Sequence, residues 1–134
     1  MSPPTLPRVA PRRIGLFGGT FDPPHLGHTV VAVEAAALLE LDELWVVPAG
    51  DPWQKSTGRD VTPATLRWEM VEAACRQHPA LRPSDVEVRR DGPTRTVDTV
   101  EPLVRSGADV VLVLGADAAA GLSTWHRAAD LAAL

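Results

Sequence analysis

The residues best suited to chemistry lie in one string of eleven, from Gly18 to His28 (Gly-Gly-Thr-Phe-Asp-Pro-Pro-His-Leu-Gly-His). It separates an apolar run, Ile14 to Phe17, from a segment that predicts a helix, Leu26 to Leu41. A glycine turn lets a ligand approach the main chain, and a helix start offers N–H groups and a positive dipole end to a phosphate. His25 is three residues before His28, so both share one face of the first turn. The string therefore predicts a phosphate cradle with two proton-bearing donors.

Two other interpretations of this string stay open at this point. A glycine pair after a strand is often only a turn, and a helical histidine is often an ordinary surface or core residue. Two histidines also suggest a metal, although zinc sites on helices favour an i, i+4 pair with a third ligand. Neither a cysteine nor a carboxylate partner is evident in the sequence. We favour the phosphate interpretation and expect no protein ligands for a metal.

Composition predicts an ordinary globular chain of one domain. The 134 residues are 45% hydrophobic and 22% charged, which is typical of a folded domain with a core of its own. A net charge of −4 favours no general attraction to nucleic acid. The single cysteine, Cys75, excludes an internal disulfide framework. Without a long apolar run or a leader pattern, we expect a cytoplasmic protein that binds no membrane.

Domain boundaries follow from the prolines near the start of the chain. Residues 1–12 contain four prolines and predict a disordered tail, so the domain is expected to cover residues 13–134. Residues 51–60 are polar and predict a loop. No internal repeat and no second domain are evident.

Three further segments predict strands. Glu43 to Val47 is a short apolar run that Pro48 closes. Val86 and Val88 alternate with polar residues, which favours a half-exposed strand. Asp109 to Leu114 is apolar on both faces, as expected of a central parallel strand.

Helices are predicted between these strands. Thr62 and Pro63 are typical of an N-cap followed by the first helical residue. Thr96 to Ser106 also favours a helix, although Pro102 would interrupt its hydrogen-bond ladder. The final helix is expected from Ala128 to Leu134. The apolar face of the helix after Pro63 is predicted to consist of Leu66, Met70, Ala73 and Ala74.

Regular alternation of strand and helix predicts a doubly wound parallel α/β sheet, which binds ligands at the carboxyl ends of its strands. Each predicted strand is followed there by a polar or glycine-rich segment. These segments are 18–28, 48–55, 91–96 and 115–117. We therefore expect all four to meet at one functional edge.

These segments together resemble a known family. The Gly18 to His28 string resembles the signature of the nucleotidyltransferases with a (T/H)xGH motif, here His-Leu-Gly-His. The whole pattern resembles bacterial nicotinate-nucleotide adenylyltransferases, and its Pro-Trp-Gln-Lys form resembles the actinobacterial members most. The resemblance also rests on segments 48–55, 92–99 and 115–117 and on Arg67, Met70 and Trp125.

The resemblance implies a Rossmann-like nucleotidyltransferase fold and a reaction of NAD biosynthesis. ATP would react with nicotinate mononucleotide to give nicotinate adenine dinucleotide and pyrophosphate, without a covalent enzyme intermediate. His25 and His28 would act as the catalytic residues. Mg²⁺ would be held mostly by phosphate oxygens, as this hard ion prefers. The ATP and its phosphates would contact Gly18, Gly19, Thr20, Phe21, Lys55, Gly115 and Asp117.

The same resemblance implies a site for the pyridine nucleotide. Trp125 would stack on the nicotinate ring, and main-chain groups around Thr96 and His126 would receive its carboxylate. A helix start near Ser123 to Trp125 would favour that negative charge. Simpler roles stay open: Lys55 as a solvated lysine, Asp117 as an N-cap and Trp125 as a core aromatic. Arg95 replaces the family's usual tyrosine, and no role is assigned to it.

The resemblance also implies that part of the family pattern is missing. Members continue into a further strand and a Ser-Thr-rich phosphate clamp beyond the position of Leu134. We therefore expect an incomplete C-terminal part and a sheet order 3-2-1-4-5 that lacks strand five, so that the fourth strand is exposed at an edge. Self-association through that edge is expected. Two alternatives remain: another adenylyltransferase, such as the pantetheine-phosphate type, or a non-catalytic nucleotide-binding remnant.

Overall fold

The computed structural model describes residues 10–51 and 60–134, and the strands of that part form one parallel sheet. The strands are β1 (Arg13–Gly19), β2 (Glu43–Pro48), β3 (Leu81–Pro83) and β4 (Asp109–Val113). Their order is β3-β2-β1-β4, which confirms the predicted order for these strands. β4 lies at one edge, as predicted, and self-association through it stays a prediction.

Five α-helices follow or precede these strands within the described ranges. They are α1 (Leu26–Leu38), α2 (Ala64–Cys75), α3 (Thr96–Arg105), α4 (Ala116–Ala120) and α5 (Ala128–Ala132). A single 3₁₀ turn, Leu122–Thr124, connects α4 to α5. The predicted tail falls mostly on residues 1–9 and the predicted loop on residues 52–59, which lie outside the described residues.

Two apolar cores cover the two faces of the sheet, which confirms the doubly wound architecture. Alternate residues of β1 point to opposite sides, so Phe17 joins one core and Leu16 the other. Helices α1 and α2 cover the first core and helices α3 and α5 the second. Cys75 is buried in the first core, and burial raises the pKa of its thiol to about 11.

Helix α1 ends at Leu38, three residues before the predicted end at Leu41. Glu40 takes a left-handed backbone conformation with φ 51°. The Leu41 and Glu40 amides then donate to Ala36 and Ala37, which closes the helix with a Schellman-type turn. The prediction missed this stop because glycine, not glutamate, is the residue that usually signals it.

Helix α2 begins at Ala64, and its N-cap is Pro63 rather than the predicted Thr62. The Ala64 amide donates to the Asp51 side chain at 2.8 Å, so a carboxylate from the preceding loop satisfies the helix start. The predicted apolar face was also wrong, since Leu66 and Ala73 are exposed. The buried face consists of Ala64, Arg67, Val71 and Cys75.

The third strand and the third helix differ from the sequence predictions. Residues 86–88 form a turn rather than a strand, and β3 lies five residues earlier, where Leu81 pairs with Leu44. Helix α3 runs through Pro102, which therefore does not break it, and ends one residue before the predicted Ser106. The other predicted elements agree except at their ends: β1 and β2 are longer than predicted, β4 stops at Val113 and α5 at Ala132.

Candidate active site

The carboxyl ends of the four strands form one edge of the sheet, and an open cleft lies there. Gly19 at the end of β1 pairs with Pro48 at the end of β2, and Val113 ends β4 on the other side. The cleft measures about 820 Å³ including its open mouth. Five predicted site residues line it: Gly18, Gly19, Thr20, Thr96 and Trp125.

Phe21 fixes the loop that follows β1. Its backbone has φ 50°, a left-handed conformation that is costly for a bulky residue. Its ring is 3% exposed and meets Phe17 edge-on at 5.5 Å and His28 edge-on at 5.0 Å. The burial of the ring offsets the backbone cost, and the loop is thereby held against helix α1.

His25 and His28 lie together at the start of α1, as their spacing predicts. Their rings stack with centroids 3.7 Å apart. The His25 amide donates to Nδ1 of His28 at 3.0 Å. Because Nδ1 accepts this bond, a neutral His28 carries its proton on Nε2. That N–H is then a donor of fixed orientation that needs no net charge on the ring.

Gly27, between the two histidines, is required by this stack. A Cβ at this position would lie 2.9 Å from Cε1 and 3.0 Å from Nδ1 of His25. Any larger residue would push the His25 ring away from His28. The glycine of the His-Leu-Gly-His string therefore serves the arrangement of the histidines themselves.

The surroundings of His28 disfavour its charged form. Burial lowers the pKa of His28, and the nearby charge of His25 lowers it further. The neutral imidazole with its Nε2 proton is thus the form that the fold favours near neutral pH. His25 is exposed and carries the more accessible of the two rings.

Arg67 is a residue of the site that sequence reasoning missed as such. Its side chain is 0% exposed, and its guanidinium donates to the carbonyl oxygens of Thr62 at 2.7 Å, Thr20 at 2.9 Å and Ala49 at 2.7 Å. It also meets the exposed carboxylate of Asp51 at 3.5 Å. One buried cation thereby joins the loop after β1, the loop after β2 and the start of α2. An arginine beside the small residues of a helix was the available signal.

The pyridine side of the predicted site lies around Trp125. Trp125 is half-buried, packs against the second core and lines both the main cleft and an adjoining open cavity of about 470 Å³. Thr96, Arg95 and His126 line that second cavity with it. The structure therefore brings the three predicted pyridine-side residues together. It leaves both proposed roles of Trp125, stacking on a ring and packing in the core, compatible with its position.

The predicted helix start at Ser123 to Trp125 was wrong. Trp125 follows the 3₁₀ turn and stands at its carboxyl end. The next helix begins only at Ala128, after Arg127 with φ 53°. The positive helix end in this cavity belongs to α3 instead, whose first residue is Thr96.

A second group that the sequence did not reveal lies behind Thr96. Glu87 is 9% exposed and lines the cleft. The Thr99 hydroxyl donates to its Oε2 at 3.1 Å, and Arg90 donates to the same hydroxyl at 3.1 Å. Among the described residues, Thr94 Oγ1 is buried without a hydrogen-bond partner. The cleft thus contains polar side chains, those of Glu87, Thr94 and Thr99, that are not among the predicted site residues.

The cytidylyltransferase-like family model matches residues 16–134. The chain belongs to the cytidylyltransferase-like family. A protein of Methylibium petroleiphilum is 46% identical over 122 residues, and one of Acidothermus cellulolyticus is 43% identical over 126 residues. Both bear the name "probable nicotinate-nucleotide adenylyltransferase".

These relatives are longer than this member of the cytidylyltransferase-like family. The matches cover 90% and 89% of the chain but 57% and 60% of the relatives' lengths. A solved Plasmodium falciparum nicotinic acid mononucleotide adenylyltransferase in complex with NaAD superposes with a TM-score of 0.69 at 20% identity. That match covers 90% of the chain and 60% of the other protein, and it supports the fold.

The other predicted residues of this cytidylyltransferase-like chain are Lys55, Gly115 and Asp117. Lys55 lies outside the described residues. Gly115 is exposed and precedes α4, and Asp117 is the second residue of that helix, so it is not an N-cap. The side chain of Asp117 lies outside the described residues. Gly115 does not line the main cleft, although Leu114 beside it does.

Metal-ligating side chains do not gather in the part of the chain that the structure describes. Within residues 10–51 and 60–134, no three His, Cys, Asp or Glu side chains come close enough to hold an ion. In the same ranges, no helix is both long and apolar enough to span a bilayer.

Proposed function

We propose that this chain carries the substrate sites of a nicotinate-nucleotide adenylyltransferase, which joins ATP to nicotinate mononucleotide and releases pyrophosphate. One observation carries the proposal. The segment from Gly18 to Phe21 lines the Trp125 cleft with its first three residues, and the ring of its fourth contacts His28 of the stacked histidine pair. Two sites that share one loop suit two substrates whose phosphates must meet.

The histidine end of the site, formed by His25, His28 and the start of α1, supplies what a triphosphate requires. Helix α1 begins there, and its N-terminal N–H groups favour negative charge. His28 adds an Nε2 donor whose orientation the His25 amide fixes. Such donors stabilise the charge that develops on leaving pyrophosphate when they are aimed in advance.

The Trp125 end supplies what a pyridine nucleotide requires. An indole face offers stacking to a flat ring, and the start of α3 at Thr96 offers main-chain N–H groups to the carboxylate. The indole face and the start of α3 lie in one cavity, so a ring and the carboxylate attached to it could reach both.

The chemistry needs no nucleophile from the protein. A phosphate oxygen of nicotinate mononucleotide attacks the α-phosphorus of ATP in line, forming a new P–O bond while the bond to the β-phosphate breaks. Positioning of the two anions is then the main contribution of the chain, worth about 7–11 kcal/mol in favourable cases. We propose Mg²⁺ as the companion ion of ATP, held by phosphate oxygens, and it would neutralise phosphate charge.

Substrate binding and pyrophosphate release test the proposal. ATP and nicotinate mononucleotide should each bind the chain in titration calorimetry, and together they should yield nicotinate adenine dinucleotide. His28→Ala should lower the rate of pyrophosphate release about 10²–10³-fold, as the loss of an oriented donor does elsewhere. His78→Ala, in the turn after α2, is the matched control and should leave the rate unchanged. If neither nucleotide binds, or if both variants turn over alike, the proposal is wrong.

A further inference from the structure

Glu87 is the acidic side chain among the described residues that line the Trp125 cleft, and the proposed reaction gives it no role. It lies in the turn at 86–88 and is 9% exposed. Its Oε2 accepts a hydrogen bond from Thr99, which holds the carboxyl group in place from helix α3. A carboxyl group that is held in place in the wall of the cleft can interact with a ligand that occupies the cleft.

The negative charge of Glu87 is only partly compensated. Arg90 donates to the Thr99 hydroxyl rather than to the carboxylate itself. Burial raises the pKa of Glu87, while the Thr99 bond and the Arg90 charge oppose that rise. A buried carboxylate whose charge is only partly compensated is stabilised by a positive charge that a ligand brings into the cleft.

A pyridine nucleotide in its oxidised form brings such a charge. Its ring nitrogen is cationic, and a flat cation is favoured on the face of an aromatic ring such as Trp125. The carboxylate of the same ring is negative and suits the start of α3 at Thr96. The cleft therefore offers a negative group and a positive helix end, which matches a ring with both charges.

We propose that Glu87 is a specificity-determining residue that selects the positively charged pyridinium ring over a neutral ring of the same shape. This inference rests on the proposed function, because it assumes that the nucleotide's ring occupies the Trp125 cleft. Thr94, whose buried hydroxyl has no partner within the described ranges, lines the same cleft and adds a polar group that a ligand can satisfy.

The test compares two ligands that differ in ring charge. Nicotinate mononucleotide has a cationic ring, whereas its 1,4-dihydro form has a neutral ring and the same carboxylate, ribose and phosphate. The wild-type chain should bind the oxidised form about tenfold more tightly in titration calorimetry. Glu87→Gln keeps the size of the side chain and an oxygen for Thr99. It should remove most of that preference while changing the affinity for the dihydro form less than about twofold.

Glu34→Gln is the matched control, since it removes one negative charge from an exposed position on α1. It should leave the preference for the oxidised ring intact. Equal weakening of both ligands by Glu87→Gln would indicate a structural role and overturn the inference, as would an unchanged preference. Equal wild-type affinities for the two ring forms would also overturn the inference, whether or not the variant folds, because no selection would then exist. Failure of the wild-type chain to bind either form would overturn the proposed function as well.

Discussion

Two regions at the carboxyl ends of the strands are built by different means: the histidine end around His25 and His28, and the Trp125 end around the cleft. At the histidine end, buried ring contacts of Phe21 anchor the loop after β1. Arg67 ties this loop to the loop after β2 and to the start of α2. At the Trp125 end, side chains line an open cleft, and a threonine hydroxyl there is buried without a partner within the described ranges. The first region is completed by the fold, and the second has polar groups that a ligand can complete.

Under the proposed function, this difference corresponds to two chemical demands. Phosphates are alike in all nucleotides, so recognising them requires rigid donors in one geometry, which main-chain groups provide. A pyridine ring must be distinguished from other rings, which requires side chains of suitable shape and charge. We infer that the histidine end accounts for rate and the Trp125 end for substrate choice.

The largest expected effect is on stability and concerns Arg67. Arg67→Met should lower the free energy of unfolding by about 3 kcal/mol or more, because it leaves the carbonyl oxygens of Thr20, Thr62 and Ala49 without the donor that a fully buried guanidinium gives them. Urea unfolding measures this change. Arg89→Met is the control, since Arg89 forms an exposed i, i+4 pair with Asp85 and should contribute little. Similar losses of stability in both variants would contradict the role of Arg67 in joining the two loops and the start of α2.

A smaller effect should appear in the pH dependence of stability. The pKa of His28 is lowered by burial and by His25, so the unfolded chain binds the proton more readily than the folded chain below about pH 6.5. The free energy of unfolding should therefore fall as pH drops below that value. His28→Gln should flatten the fall between about pH 7.5 and about pH 5.5, whereas His78→Gln should not. A slope that is unchanged in His28→Gln would show that other groups cause it.

The sequence was sufficient where one local string decides the structure. The Gly18 to His28 segment contains the turn, the helix start and both histidines within eleven residues, and the structure places them as their spacing predicts. The strand order also agreed with the one that the family resemblance implies, although the third strand lies at Leu81–Pro83 and not at 86–88. The roles of the site residues stay predictions.

Features that depend on distant partners were not predictable in this way. β3 has only three residues and exists through its pairing with β2, so its position could not be read from alternating valines at 86 and 88. Arg67 lies on the buried face of α2 because three separate segments supply acceptors for it. Trp125 ends a 3₁₀ turn whose geometry no local motif signals.

Separate titrations of the two substrates test the division between the two ends most directly. Trp125→Ala should weaken nicotinate mononucleotide binding by about 1–3 kcal/mol, the typical value of one stacking contact, and leave ATP binding nearly unchanged. His28→Ala should show the opposite pattern in titration calorimetry, weakening ATP and sparing nicotinate mononucleotide. If each variant weakens both substrates to the same extent, the two ends are not separate sites and the account is wrong.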